Sequence, residues 1–402
     1  MSITRLGTAN MYDRTISNIS KQQAELASQM EHTTAGKRVL RASDDPVAAA
    51  LAERARTRLD RIETDKRMLD AQTATVEYAE GTLGEINSAV QELRTLLVQA
   101  GNGTYNQTQR DTLVEQLTSL RAQVLKYSNR TDSNGLPLFR GLDTQANTPF
   151  PNGGNGIQSG QPNSSEYTIT NSLDGALAFF SGKTGNGVLA VDANPANQGK
   201  AHTDAGVIKD PATATALTVP VTISFHDDNG VLSYSLDGGT TMLPYKAAGD
   251  AIDVAGMALT ISGEPAVGDS FTVKPSETIS VFDAIDRAIS TVRNGGNPDG
   301  STNSGALAHG IAQSLAELDT ALNRISTVRG VAGDLLNQAK RMNNTLDARD
   351  EQVQAQRVAA EDYDSEGMVK AIAQLKTQET AVSAALQSYA SIQKLSLFDY
   401  IR

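Results

Sequence analysis

The chain has 402 residues, no cysteine and no tryptophan, and aromatic residues make up only 4% of it. The lack of cysteine excludes disulfides, thiol nucleophiles and cysteine-ligated metals. The formal net charge of −11 argues against nucleic acid or an anionic membrane as the main partner, and no stretch approaches the ~18 consecutive apolar residues of a membrane span.

The first residues are polar and lack the apolar core of a cleaved signal peptide. We therefore expect the chain to stay in the cytoplasm or to leave it by a route that needs no cleaved signal. From about Gly7 to Thr34, apolar residues recur in steps of four and three, with Gln23 in the one gap. This pattern predicts a helix that packs along another helix. The predicted contact residues are Tyr12, Ile16, Ile19, Leu26 and Met30.

An ordered connection should follow this helix. Gly36 suits the C-cap, and Pro46 fits the first turn of a new helix. Ser43 or Asp45 is expected to cap that new helix, because the side-chain oxygen of either residue can accept from the free backbone N–H groups.

The two neighbouring carboxylates of Asp44 and Asp45 allow a second interpretation, a general acid and base pair. Helix capping is the better interpretation, since both carboxylates lie at the positive end of the helix dipole with Arg38 and Arg41 nearby.

A long helix is predicted from Pro46 to Ala100, because an apolar residue recurs there at every seventh position. At about 1.5 Å per residue it would be roughly 80 Å long. A single amphipathic helix explains the repeat poorly, since strict sevens drift off one face of a straight helix. We call the repeated side the shaft seam; it comprises Ile62, Leu69, Val76, Leu83, Val90 and Leu97.

Beyond Gly101 the pattern predicts a helix from Thr108 to Asn129 that folds back along the long helix. Helical periodicity ends after it. Short alternating runs separated by turn signals predict a β-rich domain in residues 144–277. Within one such run, Pro220 should mark an edge strand or shift the strand's start.

Helical periodicity returns at Val281–Ile289, and long seams follow from Ile311 to Val353 and from Met368 to Tyr389. The charged stretch between Asp347 and Asp364 is a predicted bend. The last seam resembles that of the N-terminus, so the two chain ends should pair. The predicted contact residues of the C-terminal seam are Met368, Ile372, Leu375, Val382, Leu386 and Tyr389. The apolar cluster that follows adds Leu397 and Phe398.

The sequence therefore predicts an α+β multidomain fold, a long coiled-coil-like helical bundle built from both termini with an inserted β-rich domain. We expect terminal helices in residues 1–40 and 360–402, disordered in the monomer because their seams are diluted by polar residues. A helical shaft should occupy residues 41–143 and 278–359, with the β-rich domain inserted at its far end.

Several motifs resemble the junction-protein branch of the bacterial flagellin superfamily, of the hook-associated protein 3 type. The connection from Gly36 through Arg38, Ser43, Asp44 and Asp45 to Pro46 is similar to that branch, whereas flagellins usually continue with Ala-Ala-Gly after the two aspartates. Further matches are Met11-Tyr-Asp13, Leu138-Phe-Arg-Gly141, a β segment at Gly256–Val273 and Ser396-Leu-Phe-Asp-Tyr-Ile401. The N-terminal segment that contains Leu6–Asn10 is slightly longer than is usual in that branch.

The resemblance implies a structural subunit that is exported unfolded through the flagellar type III apparatus and bound beforehand by an export chaperone. The subunit would form a ring between the other hook-associated junction protein and flagellin. Its termini would form an inner tube. The alternative within the superfamily is flagellin, the bulk filament protein.

Catalytic, metal and cofactor sites are not expected. The four histidines show no metal-ligand spacing, and each is expected at the surface or in a loop. Asp132–Gly135 and Asp227–Gly230 echo parts of a calcium loop but lack its remaining ligands, so turns are the better interpretation. An enzyme or carbohydrate-binding module in the β-rich domain is the alternative from another class. The histidines are His32, His202, His226 and His309.

Overall fold

The computed structural model describes residues 8–102, 105–140, 169–170, 172–228, 230–246, 249–295 and 304–400, and the side chains of residues 13–391 among them. It contains two compact units, one from Met1–Arg67 with Met342–Arg402 and one from Met68–Arg341. The helices are α1 (Thr8–Ala35), α2 (Pro46–Ala100), α3 (Gln107–Ser128), α4 (Gly175–Phe179), α5 (Pro211–Ala216), α6 (Val281–Arg293), α7 (Ser304–Glu361) and α8 (Ser365–Tyr400).

The unit that holds the chain ends is helical. In it α1 packs against α8, which confirms that the two sequence-distant ends pair. The same unit contains the first part of α2 and the last part of α7, where Ile62, Leu346 and Val353 are buried. The Lys66 Nζ atom lies 2.8 Å from the Asp347 carboxylate and links these two helices.

The second unit contains a helical bundle. The shaft seam from Leu69 to Leu97 is no more than 1% exposed there, as expected for an apolar stripe covered by other helices. Helix α3 begins with a capping box between Asn106 and Gln109 and packs against α6. Ion pairs along the bundle join α2 to α7, with N–O distances of 2.7 Å for Arg94–Asp319 and 2.6 Å for Arg329–Glu80.

The same unit contains two antiparallel sheets and a short two-stranded pair. The larger sheet has the order β2-β10-β5-β6-β7, the other joins β9 to β3, β4 and β8, and β1 pairs with β11. The strands are β1 (Gly182–Lys183), β2 (Leu189–Ala193), β3 (His202–Thr203), β4 (Val207–Ile208), β5 (Val221–Asp228), β6 (Val231–Ser235), β7 (Leu243–Pro244), β8 (Ala251–Val254), β9 (Met257–Ser262), β10 (Ser270–Pro275) and β11 (Thr278–Ile279).

One hydrophobic core serves both sheets. The alternating residues of β10 place Phe271 and Val273 in it, and β9 contributes Met257, Leu259 and Ile261. This period-two burial is why these strands could be predicted.

Several predictions can be compared directly with these elements. Helix α2 has the predicted bounds, and β5 begins at Val221, directly after Pro220 as expected. The segment Leu136–Gly141 has the sequence pattern of a short strand or hairpin arm, but its described residues form only isolated bridges, such as Thr131 with Pro137. The alternating run Tyr167–Ile169 and the linker-like stretch 143–162 lie wholly or mostly outside the described residues.

The predicted bend between Asp347 and Asp364 is wrong for most of that stretch. Helix α7 continues unbroken to Glu361, and only Asp362, Tyr363 and Asp364 separate it from α8. The stretch is polar because it is largely exposed, while its many Ala, Arg, Gln and Glu residues are good helix formers.

The expectation that every histidine lies at the surface or in a loop is also wrong. His309 is a buried residue of α7, only 6% exposed, and its Nδ1 lies 3.0 Å from the Thr203 hydroxyl oxygen. The burial of His309 could not be predicted from the helix pattern, because the residue that contacts its side chain, Thr203, belongs to β3 of the sheet region, more than 100 residues away.

Candidate assembly site

The connection between α1 and α2 lies against the break between α7 and α8. Helix α1 ends at Gly36, whose φ of +69° is the left-handed conformation of a C-cap. The backbone N–H groups of Arg38 and Val39 both donate to the Glu361 carbonyl oxygen, at 2.7 and 3.0 Å. In return the Tyr363 N–H donates to the Gly36 carbonyl oxygen at 3.2 Å. We call this arrangement, residues 36–46 with 360–364, the buckle.

A buried carboxylate lies at the centre of the buckle. The Glu361 side chain is 6% exposed, and its two oxygens lie 2.7 Å from Lys37 Nζ and 2.7 Å from an Arg56 guanidinium nitrogen. Burial alone would raise the pKa of Glu361, but the hydrogen bond from Lys37 and the charge of Arg56 outweigh it, and the pKa lies below its usual value. The carboxylate therefore stays charged and holds both chain segments.

Asp45 is the cap of α2. Its Oδ1 accepts from the backbone N–H groups of Val47 and Ala48 at 3.1 and 3.0 Å, and its Oδ2 lies 3.0 Å from Arg38. The N–H of Ala48 and the side chain of Arg38 lower the pKa of Asp45. Of the two predicted caps, Ser43 makes no such contact with α2; its hydroxyl donates to Asp44 at 3.4 Å.

Asp44 shapes the turn that precedes the cap. Its Oδ2 accepts from the N–H groups of Arg41 and Leu40, at 2.7 and 3.0 Å, and the bond from Arg41 is the main cause of its lowered pKa. The Arg41 guanidinium pairs instead with Glu31 at 3.0 Å. Both aspartates thus hold backbone N–H groups, which is the capping interpretation and not that of an acid–base pair.

One set of predicted contact residues lies where α1 and α8 pack against each other, and we call this set the inner stripe. Ile19 of α1 and Val382 of α8 are buried, at 9% and 7% exposure, and the Gln29 side chain donates to the Ala371 carbonyl oxygen at 3.4 Å. The other residues of this inner stripe are half-buried: Leu26, Met368, Leu375 and Tyr389.

A second set lies on the adjoining side of the same helices and is exposed. Ile16 and Met30 of α1 are 49% and 52% exposed, and Ile372 and Leu386 of α8 are 50% and 43% exposed. We call these four residues the outer stripe. In both helices the two members are 14 residues apart, so they lie on one side of each helix. Within α8, Val369 is also 67% exposed.

Sequence reasoning merged the two faces of α8. The inner positions beside Leu375 and Val382 are taken by Ala371 and Ala385, each directly before a larger apolar residue of the outer stripe. The prediction assigned the larger of the two neighbours to the inner face. The four–three spacing 371-375-378-382-385-389 would have indicated the inner positions correctly. Tyr12, Leu397 and Phe398 belong to α1 and α8, but their side chains lie outside the described residues.

The buckle residues Lys37, Arg56 and Glu361 were not identified from the sequence. Glu361 is 324 residues from Lys37 along the chain, and neither has a local pattern that points to the other. The shaft seam was identified, and all six of its residues are buried.

The two motifs that echo parts of a calcium loop have turn geometry. Asp132 Oδ1 accepts from the N–H groups of Asn134 and Leu136, and Asp227 Oδ1 from that of Gly230, so both calcium-like motifs are turns. Within the described part of the chain, no group of three His, Asp or Glu side chains is placed to hold a metal ion. None of the helices there is long and apolar enough to cross a membrane.

Comparison with known proteins shows which proteins the chain resembles. Residues 7–144 match the bacterial flagellin N-terminal helical region. The flagellar hook-associated protein 3 of Salmonella typhimurium is 32% identical over 184 residues, which cover 45% of this chain and 55% of that protein. The chain is thus similar to members of the flagellin superfamily.

Two further members of the superfamily show how far the similarity extends. The flagellar junction protein FlgL from Legionella pneumophila shares the fold, with a TM-score of 0.63 and 26% identity over 72% of this chain and 99% of that one. A flagellin of Escherichia coli K12 is 27% identical over 299 residues, 71% of this chain and 55% of that protein. The chain spans about half the length of the curated relatives it matches.

Proposed function

We propose that this chain is a structural subunit of the bacterial flagellum that joins the hook to the flagellin filament and has no catalytic role. The observation that carries the proposal is the outer stripe on the paired terminal helices. Similarity to hook-associated protein 3 and to a flagellar junction protein supports the same conclusion.

The outer stripe has the character of an interface between subunits. Its four large side chains are about half exposed on helices whose other face is already occupied. Burying the exposed part of each contributes roughly 1–2 kcal/mol at about 25 cal/mol per Å². Repeated in every subunit, such contacts favour assembly through the chain ends.

The proposed partners follow from this role. The subunit self-associates in a ring, with the other hook-associated junction protein on one side and flagellin on the other. It is held by an export chaperone before it leaves the cell through the flagellar type III apparatus. It then acts outside the cell at the hook–filament junction, with no nucleic acid, membrane span or cofactor involved.

The proposed division of labour keeps the expected boundaries. Residues 1–40 and 360–402 form the inner tube, residues 41–143 and 278–359 form the shaft, and residues 144–277 form the outer β-rich domain. Burial of the shaft seam within helices supports the assignment of the shaft.

Flagellin remains the alternative in the same superfamily. Pro46 follows Asp44 and Asp45, where flagellins usually continue with Ala-Ala-Gly, and this favours the junction protein. The identity to hook-associated protein 3, 32%, is also higher than the 27% to the flagellin, although over a shorter stretch.

A deletion strain of the bacterium that encodes the chain tests the proposal. For a junction subunit we expect loss of motility, hooks that remain intact, and flagellin shed into the medium. Complementation with the intact chain should restore attached filaments. Filaments that stay attached in the deletion strain would contradict the proposal, and loss of flagellin from both filament and medium would identify the chain as flagellin.

A further inference from the structure

A polar cleft in the second unit has no part in the proposed assembly site. It has a volume of about 540 Å³ and lies between the edge strand β2, helix α6 and helix α7. The terminal helices contribute no residue to its wall. Its position and lining are therefore independent of the outer stripe and of the buckle.

The feature that marks the cleft as a site is the carboxylate of Glu317 in its wall. The Glu317 side chain is only 5% exposed. Its Oε1 lies 2.9 Å from the Arg287 guanidinium, whereas Oε2 is buried and has no hydrogen-bond partner among the described residues. Burial raises the pKa of Glu317, although the charge and hydrogen bond of Arg287 oppose this. A buried carboxylate oxygen without a donor is costly, so a donor from outside the chain would stabilise it.

The remaining polar groups of the cleft balance one another. Asp192 and Lys274 form an ion pair with an N–O distance of 2.7 Å. Together with Glu317 and Arg287 they give two negative and two positive charges, so the cleft carries no net charge. His309 is already bonded to Thr203. The uncharged polar residues of the wall are Thr184, Ser290, Thr291, Gln313 and Ser314.

The composition of the wall restricts the class of ligand. No aromatic ring other than the imidazole of His309 lines the cleft, so neither a flat aromatic compound nor an apolar one finds a matching surface. A singly charged ligand would leave one charge uncompensated in a partly desolvated site. Hydroxyl groups both donate and accept, and they can therefore satisfy a free carboxylate oxygen and the cationic donors at once.

We propose that this cleft binds a small uncharged polyhydroxy compound, a mono- or disaccharide, with one of its hydroxyl groups donating to the Glu317 carboxylate once its side chain rotates and turns Oε2 into the cleft. The Arg287 and Lys274 side chains donate to other hydroxyl oxygens of the same ligand. Without an aromatic ring to stack on, the site binds with a Kd of the order of 1 mM, which corresponds to the affinity of a few hydrogen bonds.

Titration of the full-length chain with D-glucose, N-acetylglucosamine and maltose tests this proposal, with binding followed by ligand-observed NMR. We expect saturable binding of at least one of the three. Glu317→Gln replaces the charged acceptor with a neutral amide and should weaken that binding about tenfold. Ser290→Phe places a ring in the cleft from an exposed position of α6 and should abolish binding.

The matched control is Asp319→Asn, since Asp319 lies two residues further along α7 and pairs with Arg94 outside the cleft. This variant should bind like the wild type, and thermal unfolding of all variants verifies that they are folded. Three results would overturn the proposal: no saturable binding of any of the sugars, unchanged binding in both cleft variants, or saturable binding of glycine or methylamine without binding of a sugar. None of these results bears on the junction role.

Discussion

Glu361 holds two distant stretches of the chain with one residue. Its carboxylate binds Lys37 and Arg56, and its carbonyl oxygen accepts from two backbone N–H groups of the α1–α2 connection. The side chain can be removed by mutation while the backbone contacts stay. The two contributions can therefore be separated experimentally.

Glu361→Ala should lower the free energy of unfolding by about 1–3 kcal/mol, because it leaves two cations facing a cavity where the buried carboxylate was. Both cations are partly exposed and partly screened, which limits the effect. Urea unfolding followed by circular dichroism measures the change. Glu366→Ala removes a partner of a fully exposed pair with Lys370 and should cost less than about 0.5 kcal/mol. Equal effects of the two substitutions would show that the buried carboxylate has no special role.

His309 should make the second unit sensitive to acid. Burial lowers its pKa to about 4, from 6.5 in the unfolded chain; the charge of Asp192 opposes this lowering and that of His202 adds to it. Because the folded protein holds the neutral imidazole, its contribution to stability is full above about pH 6.5. It is lost as the pH falls from there to about 4.

Comparison of urea midpoints at pH 7 and pH 5 tests this prediction. The wild type should lose roughly 2 kcal/mol over this range through His309, and His309→Gln should lose correspondingly less. The raised pKa of Glu317 acts in the opposite direction, since protonation relieves a buried charge, but it acts in both proteins and drops out of the difference. Equal pH dependence in His309→Gln and the wild type would contradict the assignment.

At the scale of elements, the periodicity of apolar residues in the sequence predicted most of the helices and strands. The sevenfold repeat predicted α2 with its observed ends, and the alternating runs Leu259–Ile261 and Ser270–Val273 predicted β9 and β10. Strand β2 was not predicted, because its residues Leu189–Val191 are all buried and do not alternate; the His309 side chain of α7 hydrogen-bonds to its Val191 backbone. Contacts between residues hundreds of positions apart, such as those of Glu361, leave no periodic trace.

The two faces of α8 give opposite expectations for two similar substitutions. Leu386→Asp introduces a carboxylate on the outer stripe, so the melting temperature of the monomer should stay unchanged while attachment of filaments to the hook is lost. Val382→Asp places the same group on the inner stripe, 7% exposed, where it should destabilise the pairing of α8 with α1.

Circular dichroism of the monomer and electron microscopy of a complemented deletion strain separate the two effects. Both variants should be secreted, which antibody detection in the medium verifies. If Leu386→Asp lowers the monomer melting temperature, or if its filaments stay attached, the outer stripe is not an interface between subunits.

At the scale of the whole molecule, the chain enters and leaves the sheet region through a narrow neck. The chain enters it at β1 and leaves it at β11, and these two strands pair directly, Gly182 with Ile279 and Lys183 with Thr278. Helix α4 lies before the neck, where the Phe179 ring packs on Phe139 with centroids 5.4 Å apart. The hydrophobic packing of α4 thus belongs to the helical side of the neck.

The position of the neck predicts where the sheets can be removed. Replacement of residues 185–275 by a short Gly/Ser bridge should leave most of the helical content and cooperative unfolding, because β1 and β11 already hold the two ends together. Replacement of 144–277 also removes Phe179 and should be less stable by several kcal/mol. Circular dichroism and thermal unfolding compare the two deletions. Loss of cooperative unfolding in the shorter deletion would show that the sheets are part of the helical core.

The spacing of the outer stripe acts as a ruler for neighbouring molecules. Fourteen residues along a helix correspond to about 21 Å, so Ile16 and Met30, like Ile372 and Leu386, form two marks at that separation. Midway between the marks stand the polar residues Gln23 and Glu379. A neighbour displaced by half the interval would meet polar groups, and one displaced by the full interval would meet an apolar mark again. The face therefore restricts axial slippage to coarse steps, even where two chemically different neighbours meet it.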